Sequence, residues 1–427
     1  MGKGGQGITQ ASGENIGLKH RGSNKAASGG NKNEILIDGK WYDISNFSKK
    51  HPGGRVITYY AGQNASEAYH EFHSRSKSAD KYLKSIPSRP AEQESSDALV
   101  RDFNELRDQL EKEGFFKPSI PHVMMRLTEI VAMHALGFWM ILAQGWVFAG
   151  LVVLGIVQGR CGWLMHEGGH YSLTGNITID RALQVFLYGT GCGMSGAWWR
   201  NQHNKHHATP QKLGHDVDLD TLPLLMFNSE VQNGKQKALV SPGWLKLQAW
   251  CFVPITCLMV ALGWQLYLHP RHAFRTKRFD ELACMGLRYA VLAYLCTIFP
   301  VGTTLGCYLF YVWMGGTYIF LNFAVSHTHL PVVPEDDKEV DWVRYAAFHT
   351  MNVDQSWWCD WWMSFLNFQI EHHLFPSMPQ FRHPKVSPRV RAIFEKHGVT
   401  YISMSYWKAM RVTFSNLDKV GRDVFLG

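Results

Sequence analysis

Several features that would place this chain quickly are missing from it. Its eight cysteines (Cys161, Cys192, Cys251, Cys257, Cys284, Cys296, Cys307 and Cys359) form no C-x-x-C pair and fall mostly in apolar surroundings, which argues against a disulfide framework or a zinc ribbon. No G-x-G-x-x-G follows a strand-like run, so the chain brings no dinucleotide site of its own. The net charge of +8 is not gathered into one basic tract. Lys and Arg are scattered beside apolar segments, as flanking charge on a membrane protein would be, and no nucleic-acid surface is expected. Residues 1–33 are rich in Gly, Ser, Lys and Asn and have no apolar core, so we expect no secretory signal and an N-terminus that stays in the cytosol. That leader offers too little apolar surface to offset the entropy of ordering, and we expect it to be disordered.

What is present divides unevenly along the 427 residues. A mean hydropathy of −0.17 averages long apolar stretches after residue 120 against a polar first quarter and tail. From 34 to 87 the pattern is that of a small α+β module: a strand-like run at Ile35-Leu36-Ile37, a turn at Asp38-Gly39, a second run at Trp41, Tyr42 and Ile44, then a helical stretch. Residues 88–121 read as a linker whose Leu99, Phe103, Leu106 and Leu110 recur at helical spacing. From 122 to 427 the chain reads as an all-α membrane domain. Apolar stretches at 127–144 and 146–165 approach the ~20 residues a bilayer core requires, with a turn at Gln144-Gly145, and three more follow at 248–267, 282–300 and 304–326. If all three crossed, the histidine-rich segments before and after them would face opposite sides. The cations of His269-Pro270-Arg271-His272 through Arg278 favour the cytosol, so we expect 248–267 to lie in the interface and the last two to span, giving about four transmembrane helices under a cytosolic helical cap.

Two constellations carry chemistry. His51-Pro52-Gly53-Gly54 is a turn whose glycines let backbone pass close to a flat ligand, and the helix from Ala65 brings back His70 and His73. Two facing imidazoles close both axial positions of a haem iron, which suits electron transfer. The second constellation is His166-Glu167-Gly168-Gly169-His170, His203-Asn204-Lys205-His206-His207 and Gln369-Ile370-Glu371-His372-His373. Spacings of three and four place side chains on one helix face, so each group is expected to aim several imidazoles at one point. Imidazole suits iron, zinc, copper or nickel, so ligand type does not choose the metal. H-E-x-x-H also matches zinc proteases, which need at most three histidines where eight or nine are clustered here. So many titratable groups beside membrane spans are costly unless they bind something. Asp216 and Asp218 follow the second group, placed either to accept an imidazole N–H or to cap and solvate the chain.

On these residues the chain resembles two known families. Trp41-Tyr42-Asp43-Ile44, His51-Pro52-Gly53-Gly54 and Phe72-His73-Ser74 resemble cytochrome b5, and from 34 onward the whole resembles membrane fatty-acid desaturases of the cytochrome b5-fused, front-end type, with H-x-x-x-H, H-x-x-H-H and Q-x-x-H-H. The resemblance implies haem b held by His51 and His73, Phe72 favouring His73 over His70. It implies two non-haem irons held by His166, His170, His203, His206, His207, His372 and His373, with a further histidine from the last span. That ligand is His327 or, as the alternative, His329. Gln369, in place of the usual first histidine, ligates weakly, acts through water, or orients a neighbour. Catalytic roles thus fall on His166, His170, His203, His206, His207, Gln369, His372 and His373. The resemblance also implies O2 as co-substrate, NADH acting through a separate cytochrome b5 reductase, a fatty acyl-CoA or phospholipid acyl substrate within membrane lipid, and the endoplasmic reticulum membrane. Gly162-Trp163-Leu164-Met165, Met194-Ser195-Gly196-Ala197-Trp198-Trp199 and Asn367-Phe368-Gln369 resemble Δ5 enzymes of microalgae and protists, which act on twenty-carbon polyunsaturated acids. Δ6 and sphingolipid long-chain-base desaturases are the alternatives.

Overall fold

The structure is a computed structural model that describes residues 30–92, 97–219, 221, 222, 224–229, 241–335, 337 and 340–426. Most of the leader expected to be disordered, residues 1–29, lies outside the described residues.

The N-terminal module opens with β1 (Glu34–Ile37) and β2 (Lys40–Asp43), antiparallel with Ile37 opposite Lys40. Asp38 and Gly39 both adopt positive φ (48° and 75°), the two-residue turn that matches strand twist. β3 (Ser88–Pro90), from the segment read as linker, pairs with β2 and completes the sheet. Between β2 and β3 run a 3-10 helix (Gly54–Tyr60), α1 (Ser66–His73) and α2 (Lys77–Ser85). α3 (Ala98–Lys112) then buries Leu99, Phe103, Leu106 and Leu110, the same four residues whose spacing marks it as amphipathic. At ~1.5–3 kcal/mol for each side chain taken from water, that face is a firm attachment. It joins a single buried core that includes Ile35 and Tyr60 from the module and Ile370, Phe375 and Phe394 from the far end of the chain.

The membrane part begins with α4 (Ile120–Leu142) and α5 (Val147–Gly169), which meet at a turn where Gly145 takes φ +69°. α6 (Ile177–Cys192) packs along α5. α7 (Gly196–Ala208) follows, capped by Ser195 Oγ accepting from the Trp198 amide. Three further apolar helices are α8 (Gln248–Arg275), α9 (Phe279–Ile298) and α10 (Val301–Ala324). α5 and α10 approach closely because Gly159 has no side chain: a Cβ there would stand 2.0 Å from Tyr318 Cδ1.

Among the described residues, five helices are therefore long and apolar enough to cross a membrane, where the flanking charge predicts about four. The additional one is α8, a continuous run of 28 residues despite Pro254, widened to π-helical turns over Leu258–Leu268. Its length meets the requirement for spanning, so its interfacial placement rests on the flanking cations alone. Beyond α10 the chain folds over the helix ends as α11 (Trp342–His349), α12 (Gln369–Leu374), α13 (His383–Lys396) and α14 (Tyr406–Leu426), with β4 (Asn352–Val353) and β5 (Ser403–Met404) pairing in parallel.

Candidate metal centre

Three helix ends and one loop bring the histidines together. His166 sits in the last turn of α5 with His170 at its C-terminal cap; His203, His206 and His207 lie on α7, and His372 and His373 on α12. His327 stands three residues beyond α10. These side chains sort into two groups. The potential ligand atoms of His166, His170, His203, His207 and His372 lie within 4.8 Å of one another, and so do those of His206, His327 and His373.

This corrects the expectation that each motif aims at a single point. His203 and His207, four apart, share a face of α7 and enter the first group, whereas His206 is rotated by about 100° from His207 and enters the second. The same rotation separates His372 from His373. One helix thus feeds both groups.

The residues fit metal ions on several observations. His203 Nε2 lies 3.0 Å from both His170 Nε2 and His207 Nε2, about the distance between neighbouring ligands each ~2.1 Å from one ion. His206 Nε2 and both ring nitrogens of His372 and His373 are buried without a hydrogen-bond partner, which a folded protein rarely leaves so. Burial, reinforced by neighbouring imidazoles, holds His203, His207, His372 and His373 well below the usual imidazole range, so their lone pairs are free. Burial also opposes charge on His206, but Asp216 and Asp218 outweigh it and raise that ring to about 9.

Surrounding groups fix the ring orientations. Asp216 Oδ2 lies 3.0 Å from His206 Nδ1, so the buried Asp216 takes the imidazole-orienting place, while Asp218 Oδ2, 3.2 Å from the same nitrogen, adds its charge from a part-exposed position. His327 Nδ1 donates to the His349 carbonyl (3.2 Å), turning Nε2 toward the second group, where Gln369 Oε1 stands 3.3 Å away. Gln369 is thus placed at the second group. His329 is in neither group.

Sequence reasoning missed four supporting residues. Gln380 approaches His166 Nδ1 through its carboxamide (2.9 Å) while its backbone N–H donates to Glu167 Oε1 (3.1 Å). The carboxamide end that leaves His166 able to ligate through Nε2 is Oε1, the buried atom that otherwise lacks a partner. Asn352 Nδ2 and Tyr401 Oη each donate to Glu371 (2.7 Å), anchoring α12. Gln211, at φ +60°, donates from Nε2 to the His327 carbonyl (2.8 Å) and from its backbone to Asp216 (2.7 Å). None of these has a spacing signature in one sequence.

In the module, His51 and His73 face each other with ring centres 6.1 Å apart. That is close to what two imidazoles on opposite sides of one ion require, with ~2 Å from each nitrogen to the ion. Their Nδ1 atoms donate to the carbonyls of Gly54 (3.1 Å) and Tyr69 (2.9 Å), which leaves both Nε2 atoms for a ligand. His70 turns away and pairs with Asp38 at 3.0 Å.

Apolar helices whose ends carry a double histidine centre, with a bis-histidine module sharing their core, define a multi-pass membrane metalloprotein with a built-in redox-type domain. Comparison with known proteins gives the class its family. The fatty acid desaturase pattern matches residues 108–405, and the cytochrome b5-like haem/steroid binding domain matches residues 24–88. An acyl-lipid (8-3)-desaturase of Rebecca salina is 60% identical over 91% of this chain and 92% of its own length. One of the same name from Thraustochytrium sp. is 47% identical over 99% and 98%, and the fatty acid desaturase 3 of Bos taurus is 29% identical over 91% and 90%. The chain belongs to the fatty acid desaturase family and is an oxidoreductase with a fused cytochrome b5-like domain. The fused domain implies haem, and the family implies non-haem iron at histidine clusters.

Proposed function

We propose that this protein is a front-end acyl-lipid desaturase of Δ5 regiochemistry, which places a cis double bond between an existing one and the carboxyl end of twenty-carbon polyunsaturated acyl chains. The observation that carries the reaction class is the pair of buried histidine groups fed jointly by α7 and α12, beside a module with two opposed imidazoles. His51 and His73 hold haem b. His166, His170, His203, His207 and His372 hold one iron, and His206, His327 and His373 hold the other with the Gln369 oxygen at its side. An unactivated methylene C–H is beyond acid–base chemistry, and bound iron supplies the O2 activation that breaking it requires. The chain's own contribution is to orient His206 through Asp216 and Asp218, His166 through Gln380 and His327 through the His349 carbonyl, and to bury all of the grouped imidazoles except the half-buried His203 away from water.

Δ5 selectivity is supported by the resemblance around Trp163, Trp198, Trp199 and Asn367, while the name that the Rebecca and Thraustochytrium relatives share, acyl-lipid (8-3)-desaturase, supports acyl-lipid desaturation. Electrons enter from NADH through a separate cytochrome b5 reductase, and the histidine groups and module face the cytosol at the endoplasmic reticulum. Convergence of segments before and after α8, α9 and α10 supports an even number of crossings among those three.

Gas chromatography of yeast expressing the chain, fed separately with dihomo-γ-linolenic and linoleic acids, tests the reading. Arachidonic acid from the first feed, absent with His206→Ala, is the expected result. γ-Linolenic acid from the second feed alone would move the assignment to Δ6, and altered ceramide bases with unchanged fatty acids would move it to sphingolipids.

A further inference from the structure

The 3-10 helix Gly54–Tyr60 follows the His51 turn directly and lies against α7, the helix that carries His203, His206 and His207. Three contacts define the approach. Gly54, at φ +74°, is close enough to α7 that a Cβ would stand 3.5 Å from Asn201 Oδ1. Tyr60 Oη donates to the Ala208 carbonyl at 2.9 Å. The Tyr59 ring lies flat on His215, with centroids 4.0 Å apart and planes 9° from parallel. His215 is followed by Asp216, whose carboxylate holds His206 Nδ1 at 3.0 Å, and His206 belongs to the second histidine group and not the first. A continuous series of contacts therefore runs from the module to one of the two groups.

We propose that the Tyr59–His215 stack, continued through Asp216 to His206, sets the route and distance by which electrons from the module enter at the second histidine group and not the first. This rests on the reading that His51 and His73 hold haem and that His206, His327 and His373 hold iron. In each transfer one electron leaves ferrous haem, which becomes ferric, and reduces one ferric non-haem ion to ferrous. No bond or proton moves, and an external NADH-dependent reductase restores the haem. Tyr59 and His215 contact neither set of ligand rings directly, so they are positioning residues. Both are half-buried, and Tyr59 packs against a shared core whose buried side chains, such as Tyr60, Phe103 and Trp342, join the module to the cap without it. Docking therefore survives loss of the stack while its alignment does not.

The test uses the full-length protein loaded with haem and iron in lipid nanodiscs, without oxygen. A laser flash with a photoreducible flavin delivers one electron to the haem, and decay of the ferrous haem band reports its departure. The wild type and Tyr59→Phe, which keeps the stack, are expected to decay at the same rate. Tyr59→Leu and His215→Leu are expected to decay about tenfold more slowly or worse, as small misplacements of reacting partners do, with haem potential and iron content unchanged. Unaltered decay in both Leu variants, with haem and iron retained, would overturn the proposal. A wild type lacking a haem band or non-haem iron would instead overturn the reading of the site on which it rests.

Discussion

Gln380 shows how much of this site depends on single groups that touch no ligand position themselves. Its side chain orients His166 and its backbone amide meets Glu167, both in buried surroundings. Gln380→Leu removes the first partner, and we expect non-haem iron affinity to fall about 10- to 100-fold while the haem spectrum is unchanged, as loss of a group orienting a metal ligand commonly causes. The iron-to-haem ratio after dialysis against graded chelator measures it, and an unchanged ratio would count against the role. A second residue-level expectation concerns the haem turn. His73→Ala should abolish the Soret band, and His70→Ala should leave it intact, because His70 is committed to Asp38 while His73 faces His51. The reverse result would exchange their roles.

At the scale of elements, most of the architecture could be read in advance. Asp38-Gly39 marks its hairpin, Leu99, Phe103, Leu106 and Leu110 mark α3, and the apolar stretches mark the long helices, because burial on one face or across a bilayer imposes a period or a length on the residues themselves. The division of α7 and α12 between two histidine groups was not apparent, since motif spacing describes one helix and the division depends on where other helices end. α6 was missed because Asp180 and Arg181 interrupt its apolar run, although Asp180 is buried and bonded to Thr174. The crowding of neutral rings at these helix ends has a pH consequence. His203, His207, His372 and His373 are held well below 6.5 when folded, so below about pH 6.5 the unfolded chain binds protons that the folded chain does not. Their stabilising contribution is present above that pH and is lost as pH falls, by roughly 1 kcal/mol for each ring over the first unit. His206, raised to about 9, works the other way, but only above 6.5, where it is charged folded and neutral unfolded. Metal-free protein should therefore show a falling Tm by scanning fluorimetry from pH 6.5 to 5.5. A flat profile would mean that these rings are not buried neutral.

For the whole molecule, the decisive feature is that module, linker helix and cap share one core, which brings the facing His51 and His73 and the two histidine groups into one assembly with the apolar helices. Little of that assembly was legible, because the residues that build it, such as Tyr60 with Ala208 and Phe103 with Phe375, are far apart in the chain and have no local signature. The central claim is that one chain carries a haem and a two-ion iron centre. Elemental analysis of the purified wild type, alongside haem quantified by its pyridine complex, tests this most directly. The account predicts two non-haem irons for every haem, and a selective loss of non-haem iron with the haem intact in His206→Ala. Zinc in place of iron, or a single non-haem ion unaffected by His206→Ala, would contradict it.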